Sequence, residues 1–112
     1  MDAALPDGAT PAYMASQNGH AAALAVLAGL GAALGAAMHD GATPLHTASQ
    51  HGHAAAVRVL ADLGVALDPL DANERSPLAA ACAAGHTAAV RILCVLGYDR
   101  NTFQFITKVM NS

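Results

Sequence analysis

The sequence repeats itself with a spacing of 33 residues, from residue 7 to residue 40 to residue 73. An Asp-Gly-Ala-Thr-Pro segment at residues 7–11 returns at residues 40–44 and, altered, as Asn-Glu-Arg-Ser-Pro at residues 73–77. A Gly-His pair recurs with the same spacing, at residues 19–20, 52–53 and 85–86. A fixed period of this size is typical of stacked repeats, in which each unit buries its apolar face only against its neighbours. We therefore expect function to lie on surfaces, not in an enclosed cleft.

Each unit carries the local signals of two helices. A hydroxyl residue followed by proline, as in Thr43-Pro44, is typical of a helix start, because the hydroxyl caps free amides and proline lacks one. Glycines such as Gly52 and Gly64 then supply the left-handed conformation that ends a helix. Apolar residues at a spacing of three between these glycines predict a second helix. The unit is thus a turn, a short helix, a tight turn, a second helix and a return loop.

The period, the capped Thr-Pro start and the Gly-His pair resemble the ankyrin repeat. The match is most literal in the second unit, where Asp-Gly-Ala-Thr-Pro-Leu-His-Thr-Ala at residues 40–48 keeps the family's Thr-Pro-Leu-His core. The resemblance implies an all-α ankyrin-repeat solenoid of three helix-turn-helix repeats, joined by extended β-hairpin-like loops. It places the repeat domain at residues 1–105, with repeats near 7–39, 40–72 and 73–105.

The outer units depart from this pattern. Tyr13 and Ala79 stand where the family has histidine, and Glu74 replaces a turn glycine, so we expect weaker hydrogen bonding there. Neither outer unit carries the run of polar substitutions typical of a terminal cap, which leaves self-association through the ends as an expectation. The C-terminal tail, residues 102–112, holds both phenylalanines, and either it folds over the third unit as a cap or it is frayed.

Six histidines raise the question of a metal site. His20, His53 and His86 recur with the period, and the resemblance implies that His46 bonds to backbone and threonine. Only His39 and His51 remain, too few for a tetrahedral zinc site. The sequence contains no arrangement of nucleophile, base and carboxylate and no phosphate loop of the right spacing, so we expect no cofactor and no enzyme activity.

Composition excludes further classes of partner. The net charge is −3 and the five Lys and Arg residues are scattered, so no basic face for nucleic acid is expected. Residues 21–38 lack charge over a length that could reach across a membrane. They are rich in Ala and Gly, however, and their counterparts in the second unit carry charges, so we expect no membrane span and no membrane partner. Cys82 and Cys94 are interpreted as half-buried small hydrophobic residues in a reducing, intracellular compartment, the cytoplasm or the nucleus.

Recognition of a protein partner remains. Similarity to ankyrin repeats implies that partners bind a concave surface formed by the loop tips and the first helices. Mapped onto this chain, that surface comprises Asp7, Ala9, Gln17, Asn18, His39, Asp40, Ala42, Gln50, His51, Asn73, Glu74 and Arg75. The alternative is a structural spacer, or a fragment of a longer array or multidomain protein, without a ligand of its own.

Overall fold

The fold, seen in a computed structural model that describes residues 8–97, consists of three helix-turn-helix units. No strand occurs within these residues. The three helix pairs are α1 (Pro11–Gln17) with α2 (Ala21–Gly29), α3 (Pro44–Gln50) with α4 (Ala54–Asp62), and α5 (Pro77–Ala84) with α6 (Thr87–Gly97). The predicted all-helical fold is confirmed in this range, whereas the tail at residues 102–112 lies outside the described residues.

The first helix of each unit starts at the predicted proline. The hydroxyl oxygens of Thr10 and Ser76 accept hydrogen bonds of 3.1 Å from amides three residues later. Thr43 does the same for the amide of His46 at 3.3 Å. Proline follows each capping residue, so the helix starts leave no proline amide to satisfy.

The tight turn between the two helices depends on glycine. Gly19, Gly52 and Gly85 have φ angles of 76°, 73° and 77°, a region that L side chains rarely adopt. The second helices end at Gly29 and Asp62, two residues before the glycines predicted to close them. The left-handed glycine therefore follows the last turn of these helices and does not lie within it.

The units stack in two layers. The first helices pack on one another in the order α1, α3, α5, and the second helices pack in the order α2, α4, α6. One continuous core runs between the layers, with Leu24, Leu45, Val57 and Leu60 at most 1% exposed and several buried alanines between them. The small alanine side chains allow close approach, but each contributes less apolar burial than a leucine.

His46 fastens the second unit to the loop of the third. Its Nδ1 accepts a 3.1 Å hydrogen bond from the Thr43 amide, so the ring proton lies on Nε2. Nε2 then donates a 2.7 Å hydrogen bond to the carbonyl oxygen of Arg75, 29 residues away. This confirms the structural role that the resemblance implied for His46.

The turn of the third loop keeps its hydrogen bonds although Glu74 replaces glycine. The Glu74 amide donates to the carbonyl of Asp71 at 2.9 Å, as the Gly41 amide donates to that of Met38 at 2.9 Å. Glu74 adopts a φ of 60° to do so. We expected weaker hydrogen bonding here, and this expectation is wrong for this turn. The cost of replacing glycine with Glu74 is backbone strain instead.

Glu74→Gly is expected to raise the free energy of unfolding by about 0.5–1 kcal/mol, because relief of left-handed strain outweighs the added flexibility of the unfolded chain. Urea denaturation followed by circular dichroism measures the change. The reverse substitution, Gly41→Ala, is the matched control and should destabilise, because its methyl group would lie 3.1 Å from the amide nitrogen of Ala72 at a φ of 84°. Equal stability of the Glu74→Gly variant and the parent would contradict the strain.

Two expectations from composition are answered by the structure. No helix among residues 8–97 is long and apolar enough to cross a membrane. Cys82 and Cys94 are exposed, not half-buried, and are unpaired. The expectation of half-buried thiols was wrong: the corresponding residues of the first two units, each followed by another unit, are buried or half-buried, and no unit follows the third within residues 8–97.

Candidate protein-binding surface

The loop tips of successive units touch and form one row. A methyl group on Gly8 would lie 3.1 Å from the backbone nitrogen of His39, and one on Gly41 would lie 3.1 Å from that of Ala72. The Ala72 amide also donates a 2.8 Å hydrogen bond to the carbonyl oxygen of Asp40. The tips therefore hold one another at fixed spacing, which gives a partner an ordered backbone to contact.

The predicted tip residues differ in accessibility. His39, Asp40, Asn73 and Glu74 are exposed, and Ala42 and Arg75 are half-buried. Ala9 is only 6% exposed, so its side chain belongs to the packed framework and offers little to a partner. Asp7 lies outside the described residues.

Carboxylates organise the second and third tips. Asp40 Oδ1 accepts a 3.0 Å hydrogen bond from the Ala42 amide. In the third tip, Asp71 Oδ1 accepts from the amides of Arg75 at 3.0 Å and Asn73 at 2.9 Å. The Arg75 amide is the main cause of a lowered pKa for Asp71, which partial burial opposes, so this carboxylate stays ionised at neutral pH.

Asp71 was not among the predicted site residues. Its Asp-x-Asn context is a signal that could have identified it, because aspartate before a turn caps backbone amides two and four residues later. Arg75 Nε lies 3.8 Å from Asp71 Oδ2, a long contact at a partly exposed position that adds little stability.

A second row is formed by the C-terminal ends of the first helices. Gln17, Asn18, Gln50 and His51 are all exposed there. His51 donates from Nδ1 to the carbonyl of Thr47 at 2.9 Å, and its ring stacks on that of His53 with centroids 6.2 Å apart. His53 in turn donates from Nε2 to the carbonyl of Gln17 at 3.0 Å. The helix ends of the first two units are thus joined through one pair of rings.

The two rows are separated by the length of a first helix. A helix of seven residues spans about 10 Å, which sets the distance between the tips and the helix ends. In the middle unit every residue from Pro44 to Ser49 is buried, so α3 contributes only its ends. The expected contribution of the first helices is therefore limited to their ends in this unit, because both neighbours and α4 pack against the body of the helix.

The polarity of the helix-end row changes along the chain. The first two units place amide and imidazole groups there, whereas Ala83 and Ala84 are the exposed residues of the third unit. Side-chain hydrogen bonds to a partner in this row can therefore be formed by the first two units and not by Ala83 or Ala84.

No group of three His, Cys, Asp or Glu side chains among residues 8–97 is placed to hold a metal ion. A cleft lined by Leu34, Val65 and Pro69 encloses about 60 Å³. Pockets for small organic ligands are typically about 300–1,000 Å³, so this cleft is too small for one.

The stacked helix pairs, the Thr-Pro helix starts and the glycine turns define a helical repeat protein. A family model described as ankyrin repeats in three copies matches residues 12–104, and the chain belongs to the ankyrin repeat family. A comparison with curated proteins gives no match. Ankyrin repeats are generally protein-protein interaction modules without catalytic activity.

Proposed function

We propose that this chain is a non-catalytic module that binds a protein partner across the row of loop tips and the row of helix ends. The observation that carries the proposal is the contrast within the middle unit, whose first helix is buried while Asp40, Gln50 and His51 at its two ends are exposed. Exposed polar groups held by a rigid framework can bind at low cost in conformational entropy. In this proposal the three repeats form a solenoid, and the return loops are β-hairpin-like arms that present the tips.

The chemistry of the two rows indicates what a partner must offer. The tips present the carboxylates of Asp40 and Glu74 beside the single guanidinium of Arg75. The helix ends present amide groups, which both donate and accept hydrogen bonds. A complementary protein surface therefore supplies mainly donors opposite the tips, and backbone or amide groups opposite the helix ends of the first two repeats.

Location inside the cell is part of the proposal. Cys82 and Cys94 are exposed and unpaired, which fits a reducing compartment such as the cytoplasm. The second candidate function, a spacer or a fragment of a longer array, is favoured by the exposed large apolar residues Val26 and Leu30 on the first repeat. These residues lie outside both rows, so the two functions can be tested separately.

Substitution of the second repeat's exposed ends tests the surface. We expect the combined variant His39→Ala, Asp40→Asn, Gln50→Ala and His51→Ala to bind a partner, identified by crosslinking in the native cell, at least about tenfold more weakly. Asparagine at position 40 keeps an oxygen that can accept the Ala42 amide, so the loop is preserved. Isothermal titration calorimetry with the purified partner gives the affinity, and urea denaturation checks the fold.

The matched control changes exposed residues of the other layer. Arg58→Ala with Asp62→Ala alters α4, far from both rows, and should leave the affinity within about twofold. If the combined variant bound as tightly as the parent while the α4 variant bound more weakly, the partner would occupy the second helices. The proposed surface would then be incorrect.

A further inference from the structure

The first repeat exposes the side chains that the other repeats bury against their predecessor. Met14 is 44% exposed, whereas its counterparts Thr47 and Ala80 are 1% and 4% exposed. Val26, at 62% exposure, contrasts with the half-buried Val59 of the second repeat. We call this surface the leading face; it consists of Met14, Ala23 and Val26.

Ala23 shows most clearly that the leading face is an uncovered repeat interface. It is exposed, while its counterparts Ala56 and Ala89, each in a repeat that is preceded by another, are completely buried. Each of these alanines is the third residue of its helix, so its place in the helix does not account for the difference, and the presence of a preceding repeat does. The leading face therefore has the shape that accepts an ankyrin repeat.

The third repeat has the opposite surface uncovered. Cys82 is exposed, whereas its counterparts Ser16 and Ser49, each in a repeat that is followed by another, are completely buried. Cys94 is likewise exposed, whereas its counterparts are less exposed: Ala28 is half-buried and Ala61 is 1% exposed. We call this surface, Cys82 with Cys94, the trailing face.

A contact between histidine and glycine sets the register wherever two repeats meet. The ring of His53 lies over Gly19, where an added methyl group would be 2.7 Å from Nδ1. The ring of His86 lies over Gly52 in the same way, at 2.5 Å. This contact is made at both junctions of the described chain.

Each end of the described chain carries one of the two residues of this contact, a histidine at the first repeat and a glycine at the third. His20 is exposed at the first repeat, and among the described residues beyond its chain neighbours none comes within 4 Å of a methyl group added to Gly85. Gly85 has a φ of 77°, matching the 76° and 73° of the glycines that already carry a ring. The two ends thus hold complementary parts of a third, identical junction.

Neither face carries charge that would resist burial. The helices α1, α2 and α5 contain no Asp, Glu, Lys or Arg. In α6, the exposed Arg91 lies three residues before Cys94, but its counterpart Arg58 stays exposed in the middle repeat, which has a neighbour on each side. Bringing the two faces together therefore removes apolar surface from water without the large cost of desolvating ionised groups.

We propose that the leading face of one chain is covered by the trailing face of a second copy, with His20 of one copy over Gly85 of the other. The two surfaces differ, so the contact is heterologous and continues into rings or open chains. A second copy is the expected partner because its third repeat would pack on the first repeat in the same way as successive repeats pack at the two junctions within the chain. It uses neither row of the proposed protein-binding surface and is independent of that proposal.

Two charge substitutions, one on each face, provide the test. Val26→Glu blocks the leading face and Cys82→Glu blocks the trailing face, and both replace exposed side chains. Under reducing conditions, sedimentation of the parent chain should show a mass that rises above the 11.2 kDa of one chain as the concentration increases to about 1 mM. Each variant alone should remain a monomer.

Mixing the two variants is the decisive measurement. Each retains the face that the other has lost, so an equimolar mixture should form a dimer and stop there, with a mass approaching twice that of one chain. Ala55→Glu is the matched control, because position 55 is exposed on α4 outside both faces, and it should associate like the parent. A parent chain that stays monomeric up to about 1 mM, or a mixture that forms no dimer, overturns the proposal.

Discussion

Gly52→Ala is expected to lower the free energy of unfolding by about 3 kcal/mol. Two effects add. The φ of 73° places an L side chain in the left-handed region, and the new methyl group would lie 2.5 Å from Nδ1 of the His86 ring. The ring, seated between two repeats, must move and disturb the junction. Urea denaturation at low temperature, followed by circular dichroism, measures the loss while leaving enough folded protein to observe.

Gly85→Ala separates the two effects. Gly85 has nearly the same φ, 77°, but no residue within 8–97 beyond its chain neighbours comes within 4 Å of the added methyl group. Its substitution should therefore cost only the backbone strain, about 1–2 kcal/mol. In the double variant Gly52→Ala with His86→Ala the ring is gone, so the combined loss should fall below the sum of the single losses. Equal losses for Gly52→Ala and Gly85→Ala would show that the ring is not packed as described.

His46→Ala has the second large effect, a loss of about 3 kcal/mol. The substitution leaves the Thr43 amide and the carbonyl of Arg75 without their imidazole partners, at bonds of 3.1 and 2.7 Å. It also leaves space where a side chain only 2% exposed was packed. Both the start of α3 and the third loop tip lose support. Urea denaturation gives the change in stability, and hydrogen exchange at Thr43 reports the opened helix start.

His51→Ala is the comparison for this experiment. His51 lies at the end of the same helix but is exposed, and its hydrogen bonds reach only Thr47 within its own turn. Its removal should change stability by less than about 0.5 kcal/mol. A similar loss for both variants would mean that the link from His46 to Arg75 contributes nothing. A stable His51→Ala variant also shows that this position can be altered in binding experiments without loss of the fold.

Much of the unit was predictable because its signals are local. Thr43 with Pro44 starts a helix, and Gly52 ends the turn after it, through contacts within a few residues of the chain. The predictions from sequence failed where the burial of a residue depends on a neighbouring repeat. The burial of the whole body of α3 depends on α1, α5 and α4, and nothing within residues 44–49 distinguishes them from an accessible helix.

The candidate surface was also predictable only in part. Comparison of the repeats identified the exposed ends, His39 and Asp40 at one side and Gln50 and His51 at the other. It placed Ala9 among them, although that side chain is buried, and it missed Asp71, whose carboxylate organises the third tip through the amides of Asn73 and Arg75. These outcomes depend on how a loop folds against the next one, which residue type alone does not specify.

By itself, the sequence determined the repeating unit, its helix starts and its glycine turns, because capping and left-handed backbone conformations are decided by residues that are close in the chain. Only the tertiary structure decided which faces are covered. Ala23 and Ala56 are the same residue in the same helix position, yet one is exposed and the other is buried. The physical reason is that the burial of a side chain depends on the repeat packed against it. In a stack, that neighbouring repeat is formed by residues tens of positions away in the sequence.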